Sequence, residues 1–148
     1  VSILGNSRLV SNYPILIIGP EIGSLVSPFE DVIYKGWLNK TEMTEFIDQT
    51  LIGIFPSLWY EVDPLTPWNF FSRGIPVACC TENVFGQFLG KIIPELVYSN
   101  IEELNSLLEN INNVKFYENI CLRVQKLYIS EKKSRAHIWS RGFDEVIG

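Results

Sequence analysis

Short apolar runs alternate along this chain with segments whose apolar residues recur at helical spacing. Residues 15–18 (Ile-Leu-Ile-Ile) and 51–55 (Leu-Ile-Gly-Ile-Phe) are almost wholly apolar, as strands buried on both faces of a parallel sheet are. Residues 31–34, 77–80 and 95–98 predict three more strands, and 1–4 another. Residues 41–50 predict a helix with Met43, Phe46 and Ile47 on one face, and Asn39 to Glu42 has the form of a capping box. A short helix is expected over 83–89. Ile101, Leu104, Leu107, Leu108 and Ile111 recur at intervals that place them on one helical face. Two more helices, 114–130 and 131–146, complete the pattern. Strands alternating with helices imply an α/β fold, a Rossmann-like parallel sheet with helices on both faces.

The amino-terminal spacing is anomalous. Residues 1–4 and 15–18 both read as central strands, yet a parallel crossover needs a dozen or more residues and usually a helix. Only 5–14 lie between them, and Asn12-Tyr13-Pro14 end any helix there. Either the first segment is not a strand, or a piece is missing near residues 5–13.

Composition narrows the function classes. The 148 residues suit one domain with a single core, and 47% hydrophobic with 20% charged residues is an ordinary globular balance. Net charge is -5, and no basic patch or interleaving of basic and aromatic residues stands out, which disfavours nucleic acid as a partner. Cys79, Cys80 and Cys121 are odd in number, and two are adjacent in an apolar run, so they form no disulfide framework and favour a reducing compartment. No apolar run approaches the roughly 20 residues of a membrane span. His137 is the sole histidine, and without a second one or suitable cysteine spacing no metal site is expected. There is no Gly-x-Ser-x-Gly elbow, Walker loop or Gly-x-Gly-x-x-Gly fingerprint.

The chemistry concentrates in residues 54–77, IFPSLWYEVDPLTPWNFFSRGIPV. A strand breaks at Pro56-Ser57, a loop carries Glu61, Pro64 and Pro67 open a helix, Gly74 stops it, and Pro76-Val77 begins the next strand. Loops at the carboxyl ends of parallel strands carry the ligands of open α/β sheets, and a helix start there offers unpaired N–H groups to anionic oxygen.

This stretch resembles the donor-binding signature of retaining GT-B glycosyltransferases, family 4 in particular: Pro-Ser, a glutamate, a second glutamate, then a helix ending Gly-x-Pro-Val. Pro56, Ser57, Glu61, Gly74, Pro76 and Val77 fall in register, and Pro64-Leu65-Thr66 matches a known variant of the loop. The second glutamate is replaced by Asn69. Ile18-Gly19-Pro20-Glu21 and the run from Val32 to Gly36 match further strand ends, so the resemblance covers about residues 14–147.

The resemblance implies the carboxyl-terminal, donor-binding half of a GT-B fold, without its amino-terminal acceptor domain. It implies hexosyl transfer from a nucleotide-diphosphate sugar to an acceptor hydroxyl, with retention. The nucleotide sugar is the co-substrate, and no separate cofactor is implied. Its usual setting is bacterial polysaccharide assembly in the cytoplasm, with peripheral association at the inner face of the membrane. Glu61 would take the catalytic position beside the donor sugar, where a carboxylate accepts from hydroxyls and offsets oxocarbenium charge. Pro64, Leu65 and Thr66 would present the helix start to the diphosphate. Asn69 would meet the ribose, or else bond locally behind a Thr66-Pro67 cap. Asp63 would repel phosphate, and serves better as an N-cap before Pro64. Gly19 and Gly36 would either let backbone approach the donor or simply turn the chain. Trp37 would flank a nucleobase or pack, and Trp59 and Tyr60 would line a sugar pocket or join the core. In the family an Arg/Lys pair after the first strand grips the diphosphate; Arg8 is the nearest cation here, and the pair is not identifiable.

A non-catalytic module with the same fold is the first alternative, favoured by Asn69 and by the missing pair. A receiver domain would carry an acidic pair in residues 1–6, and none is there. A GT-B-fold epimerase would need other acid–base groups.

Overall fold

The computed structural model describes residues 14–18, 32–58 and 64–147. Among the described residues two parallel sheets form. In the first, β1 (Ile15–Ile18) pairs with β2 (Val32–Gly36). In the second, β4 (Val77–Cys80) lies between β3 (Gly53–Phe55) and β5 (Val97–Tyr98), and all three strands run the same way. The chain is therefore α/β, with a three-stranded parallel sheet flanked by helices.

The centre of that sheet explains the Val-Ala-Cys-Cys run. Successive side chains of a strand point to opposite faces. Val77 and Cys79 enter one core with Phe71, Phe85, Leu89, Ile120 and Val124. Ala78 and Cys80 enter the other with Tyr98, Leu104, Leu107, Leu108 and Ile111. All four residues of β4 are buried, so neither face needs a polar residue.

Helices cover both faces. The first core receives α1 (Lys40–Asp48) through Ile47, α2 (Leu65–Phe71) through Phe70 and Phe71, α3 (Val84–Gly90) through Phe85 and Leu89, and the first half of α5 (Val114–Ile147). The second core receives α4 (Ile101–Ile111), whose Leu104, Leu107, Leu108 and Ile111 form the stripe expected from their spacing. Trp68, Phe71, Phe85 and Phe88 stack edge-on or tilted at centroid separations of 5.4–6.4 Å and join α2 to α3.

Helix ends follow local chemistry. Asn39 accepts from the Thr41 and Glu42 amides, and Glu42 accepts from the Asn39 amide at 2.8 Å, completing the capping box. The end of α2 is a Schellman turn: Ile75 N donates to Phe70 O at 3.1 Å, and Gly74 N to Phe71 O at 3.0 Å. Gly74 sits at φ 72, where a side chain would be strained, and this fixes glycine as the helix stop.

Several expectations need correction. Residues 114–147 form one continuous helix rather than two, because no Gly or Pro interrupts 130–131. β3 begins at Gly53 rather than residue 51, and Leu51 is exposed. The last strand shrinks to Val97–Tyr98, because Pro94–Leu96 winds into a 3-10 turn with Leu96 N on Ile93 O. Asn83 is the cap of α3 rather than its first residue. The expected strand at 1–4 lies outside the described residues.

Candidate functional site

The carboxyl ends of β3, β4 and β5 lie along one edge, since the three strands are parallel. Pro56-Ser57-Leu58 leaves β3 there, Thr81-Glu82-Asn83 leaves β4, and Ser99-Asn100 leaves β5.

Asn83 binds two of these loops together. Its side chain is 1% exposed, the one buried polar residue among those described. Its amide Nδ2 donates to Ser57 O at 2.7 Å, across 26 positions of sequence. Its Oδ1 accepts from Gly86 N at 2.6 Å and so caps α3. An amide suits this position because it donates on one side and accepts on the other. Gly86 completes the joint. A Cβ there would stand 1.9 Å from Cys80 O, so only glycine lets α3 start this close to the end of β4. Periodicity marks Asn83 only as the start of a helix and assigns Gly86 no role. The available signal was a glycine inside a short helical pattern, which costs helix stability and usually marks close packing.

The described helix starts differ in their caps. Asn83 caps α3, and Asn100 caps α4 through Glu103 N at 2.9 Å. Asn39 caps α1, and Asn113 accepts from Phe116 N at the start of α5. The start of α2 differs: its N-cap is Pro64, with no side-chain cap. This corrects the placement of the cap at Thr66. Pro67 fits inside the first turn because a missing N–H costs nothing there. Leu65 and Thr66 are exposed, and their N–H groups open α2. Pro64 is buried and holds the helix start in place.

Asn69 lies in the middle of α2 rather than at its third position, because the helix begins two residues earlier than a Thr66 cap would set it. Its side chain is exposed, and its carbonyl accepts from Ser72 Oγ at 2.7 Å. At the end of β2, Gly36 adopts φ 67 and turns the chain, and a Cβ there would meet nothing within 4 Å. Trp37 beside it is 78% exposed, which excludes core packing. Glu61, Asp63, Gly19, Arg8, Trp59 and Tyr60 lie outside the described residues, as does the side chain of His137.

A depression of about 520 Å³ lies beside β5 and α4. That depression is wide open and is lined by Glu95, Glu102 and Glu103 among others. The Arg123 guanidinium at 2.6 Å holds the Glu95 carboxyl below its usual range. The backbone N–H and hydroxyl of Ser99 do the same for Glu103. Three carboxylates repel a diphosphate, so the depression is a poor place for an anionic donor. Burial, with Cys80 adjacent, pushes the Cys79 thiol up to about 12, and the same burial pushes the Tyr98 hydroxyl up to about 12. Neither group is a nucleophile near neutral pH. Among the described residues no three His, Cys, Asp or Glu side chains come together to hold a metal, and no helix is long and apolar enough to cross a membrane.

No protein-family model matches this chain, and none of the curated proteins does.

Proposed function

We propose that this chain is the donor-binding half of a retaining GT-B-type glycosyltransferase resembling family 4. One observation carries the reading. The loop segment with Pro56 and Ser57 leaves the carboxyl edge of a parallel sheet, is tied there by Asn83, and leads to the one α-helix start among those described that has no side-chain cap. Three parallel strand ends with such a loop form the place where open α/β sheets hold ligands.

In this proposal the Leu65 and Thr66 amides take oxygens of the donor diphosphate. The attraction of a helix start for an anion is modest, about 0.3–1 kcal/mol per charge when exposed. Glu61 accepts hydroxyls of the transferred hexose and offsets positive charge at its anomeric carbon. The anomeric C–O bond breaks with its electron pair going to the diphosphate. The acceptor oxygen forms the new bond on the same face, and its proton passes to the departing phosphate oxygen. Asn69 meets the ribose with a neutral amide, at about half the strength of the usual charge-assisted bond. Trp37, Gly36 and Gly19 border the nucleotide. An amino-terminal acceptor domain completes the enzyme, which works on cytoplasmic donors in bacterial glycan assembly.

Titrating the chain calorimetrically with UDP-, GDP- and ADP-hexoses tests this. Saturable binding of one base, weakened by Asn83→Ala, is the expected result. Binding of none of the three would favour the non-catalytic alternative, which Asn69 supports.

A further inference from the structure

The outward face of α5 carries apolar and charged side chains in a particular order. Ile120, Val124 and Leu127 turn into the core and are buried there. With 3.6 residues per turn, Glu118, Leu122, Ile129 and Lys133 fall within about 60° of arc on the opposite side of the helix. All four are exposed, Leu122 at 56% and Ile129 at 50%. An isolated surface apolar residue needs no explanation. These two share one line, with an acid before them and a base after them. The basic end holds two ammonium groups, because Lys132, beside Lys133, rests over the Tyr128 ring at 5.9 Å from its centroid.

Two-fold symmetry makes that order self-complementary. In an isologous pair, residue i of one copy meets j of the other, and j meets i. An antiparallel second copy that sets Leu122 against Ile129 also sets Glu118 against Lys133, with Lys132 alongside. The same contacts recur at the other end, so both apolar residues are covered and an acid meets a base on either side of them. Neighbouring registers lack this match. One heptad back, Leu122 meets itself and Ile129 meets Lys115; one heptad on, Ile129 meets itself and Lys126 meets Lys132. A parallel copy sets Glu118 against Glu118 and Lys133 against Lys133. The helix is already held by its own core, so pairing costs little in ordering it. The segment 118–133 is about 24 Å long, a face of the size that makes weak, reversible complexes.

We infer that the outer face of α5 between Glu118 and Lys133 is a self-association surface, on which a second copy of this chain lies antiparallel. This rests on register and charge and does not depend on the glycosyltransferase reading. Sedimentation equilibrium of the chain from micromolar to millimolar concentration tests it. A reversible monomer–dimer equilibrium is expected, and L122S/I129S should remove it. Glu118→Lys should weaken the dimer about tenfold, because two exposed ion pairs, each worth up to about fivefold, turn from attraction to repulsion. That substitution takes the net charge from -5 to -3, so unspecific repulsion between chains predicts the opposite sign. K132E/K133E should weaken the dimer likewise. An equimolar mixture of these two weak variants should dimerise again, since each then offers the charge the other lacks. The two Lys126 side chains approach each other near the two-fold axis, so Lys126→Gln should tighten the pair. All the substituted residues are exposed, so the variants keep the fold. A chain that stays monomeric at every concentration, an undiminished Glu118→Lys dimer, or a mixture that stays monomeric would each overturn the inference.

Discussion

Asn83 is the residue whose replacement tests the joint most sharply. Asn83→Ala removes both side-chain bonds from a site that is 1% exposed. Loss of a helix cap costs about 1 kcal/mol, and loss of a second internal hydrogen bond about as much. With the small void left behind, the expected destabilisation is about 2–3 kcal/mol. Asn83→Asp separates the two bonds. It keeps an acceptor for Gly86 N, but sets a carboxylate oxygen where Nδ2 stands 2.7 Å from Ser57 O. The start of α3 favours that charge by only about 0.3–1 kcal/mol, which does not offset two facing oxygens in a dry site. Protonation restores a donor toward Ser57 O, so the introduced acid has its folded-state pKa raised above the unfolded value of about 3.9. The folded state then holds the proton more tightly than the unfolded one. Stability of Asn83→Asp rises relative to wild type as pH falls from 7 toward about 4, and is lost again as pH rises through the raised value. Urea unfolding followed by circular dichroism at pH 7 and pH 5, on wild type and both variants, reads this directly. The aspartate variant should recover at pH 5 while the alanine variant stays parallel to wild type. An aspartate variant that tracks the alanine variant at both pH values would refute the assigned bond to Ser57.

Three further outcomes follow from the same geometry. Gly86→Ala forces a Cβ to 1.9 Å from Cys80 O; backbone cannot give way cheaply, so thermal or urea unfolding should show a loss of about 3 kcal/mol or more. Cys79 and Cys80 should resist a thiol reagent at pH 8 in the folded chain and react promptly in urea, because both are buried and Cys79 is pushed up to about 12; fast native labelling at either would contradict the packing of β4. Arg123→Ala removes the bond to Glu95 and one to Ile92 O at 3.0 Å, and should cost about 0.5–1 kcal/mol, a surface value because both partners are about one-third exposed. The Glu95 carboxyl is depressed below its model-compound value of 4.5. Its share of that cost is therefore present above that pH and disappears as pH falls through the folded value, so the gap between Arg123→Ala and wild type should narrow on acidification.

Local chemistry was legible in the sequence, and long-range chemistry was not. The run at 77–80 announced a strand, and β4 is that strand, buried on both faces. The stripe at 104, 107, 108 and 111 announced α4, and Asn39 with Glu42 announced a cap, because each signal lies within a few residues of its effect. The bond from Asn83 to Ser57 spans 26 positions and leaves no local trace. The start of α2 was misplaced because Pro64 and Pro67 both permit a helix start, and only tertiary packing chooses between them. The division of α5 into two helices has no break behind it: no Gly or Pro stands at 130–131, and the backbone continues. The donor chemistry at Glu61 and Asn69 was inferred from resemblance; the fold supplies the sheet edge and the tied loop on which that chemistry would stand.

In the proposed site the carboxylate at 61 serves the sugar while the start of α2 serves the diphosphate. Calorimetry on wild type and Glu61→Ala, with a nucleoside diphosphate and with the matching nucleotide sugar, tests this directly. Wild type should hold the sugar-bearing ligand more tightly than the bare diphosphate. Glu61→Ala should erase that difference while leaving the affinity for the bare diphosphate unchanged. A wild-type chain that binds neither ligand, or a variant that keeps the full preference for the sugar, would contradict the proposed site.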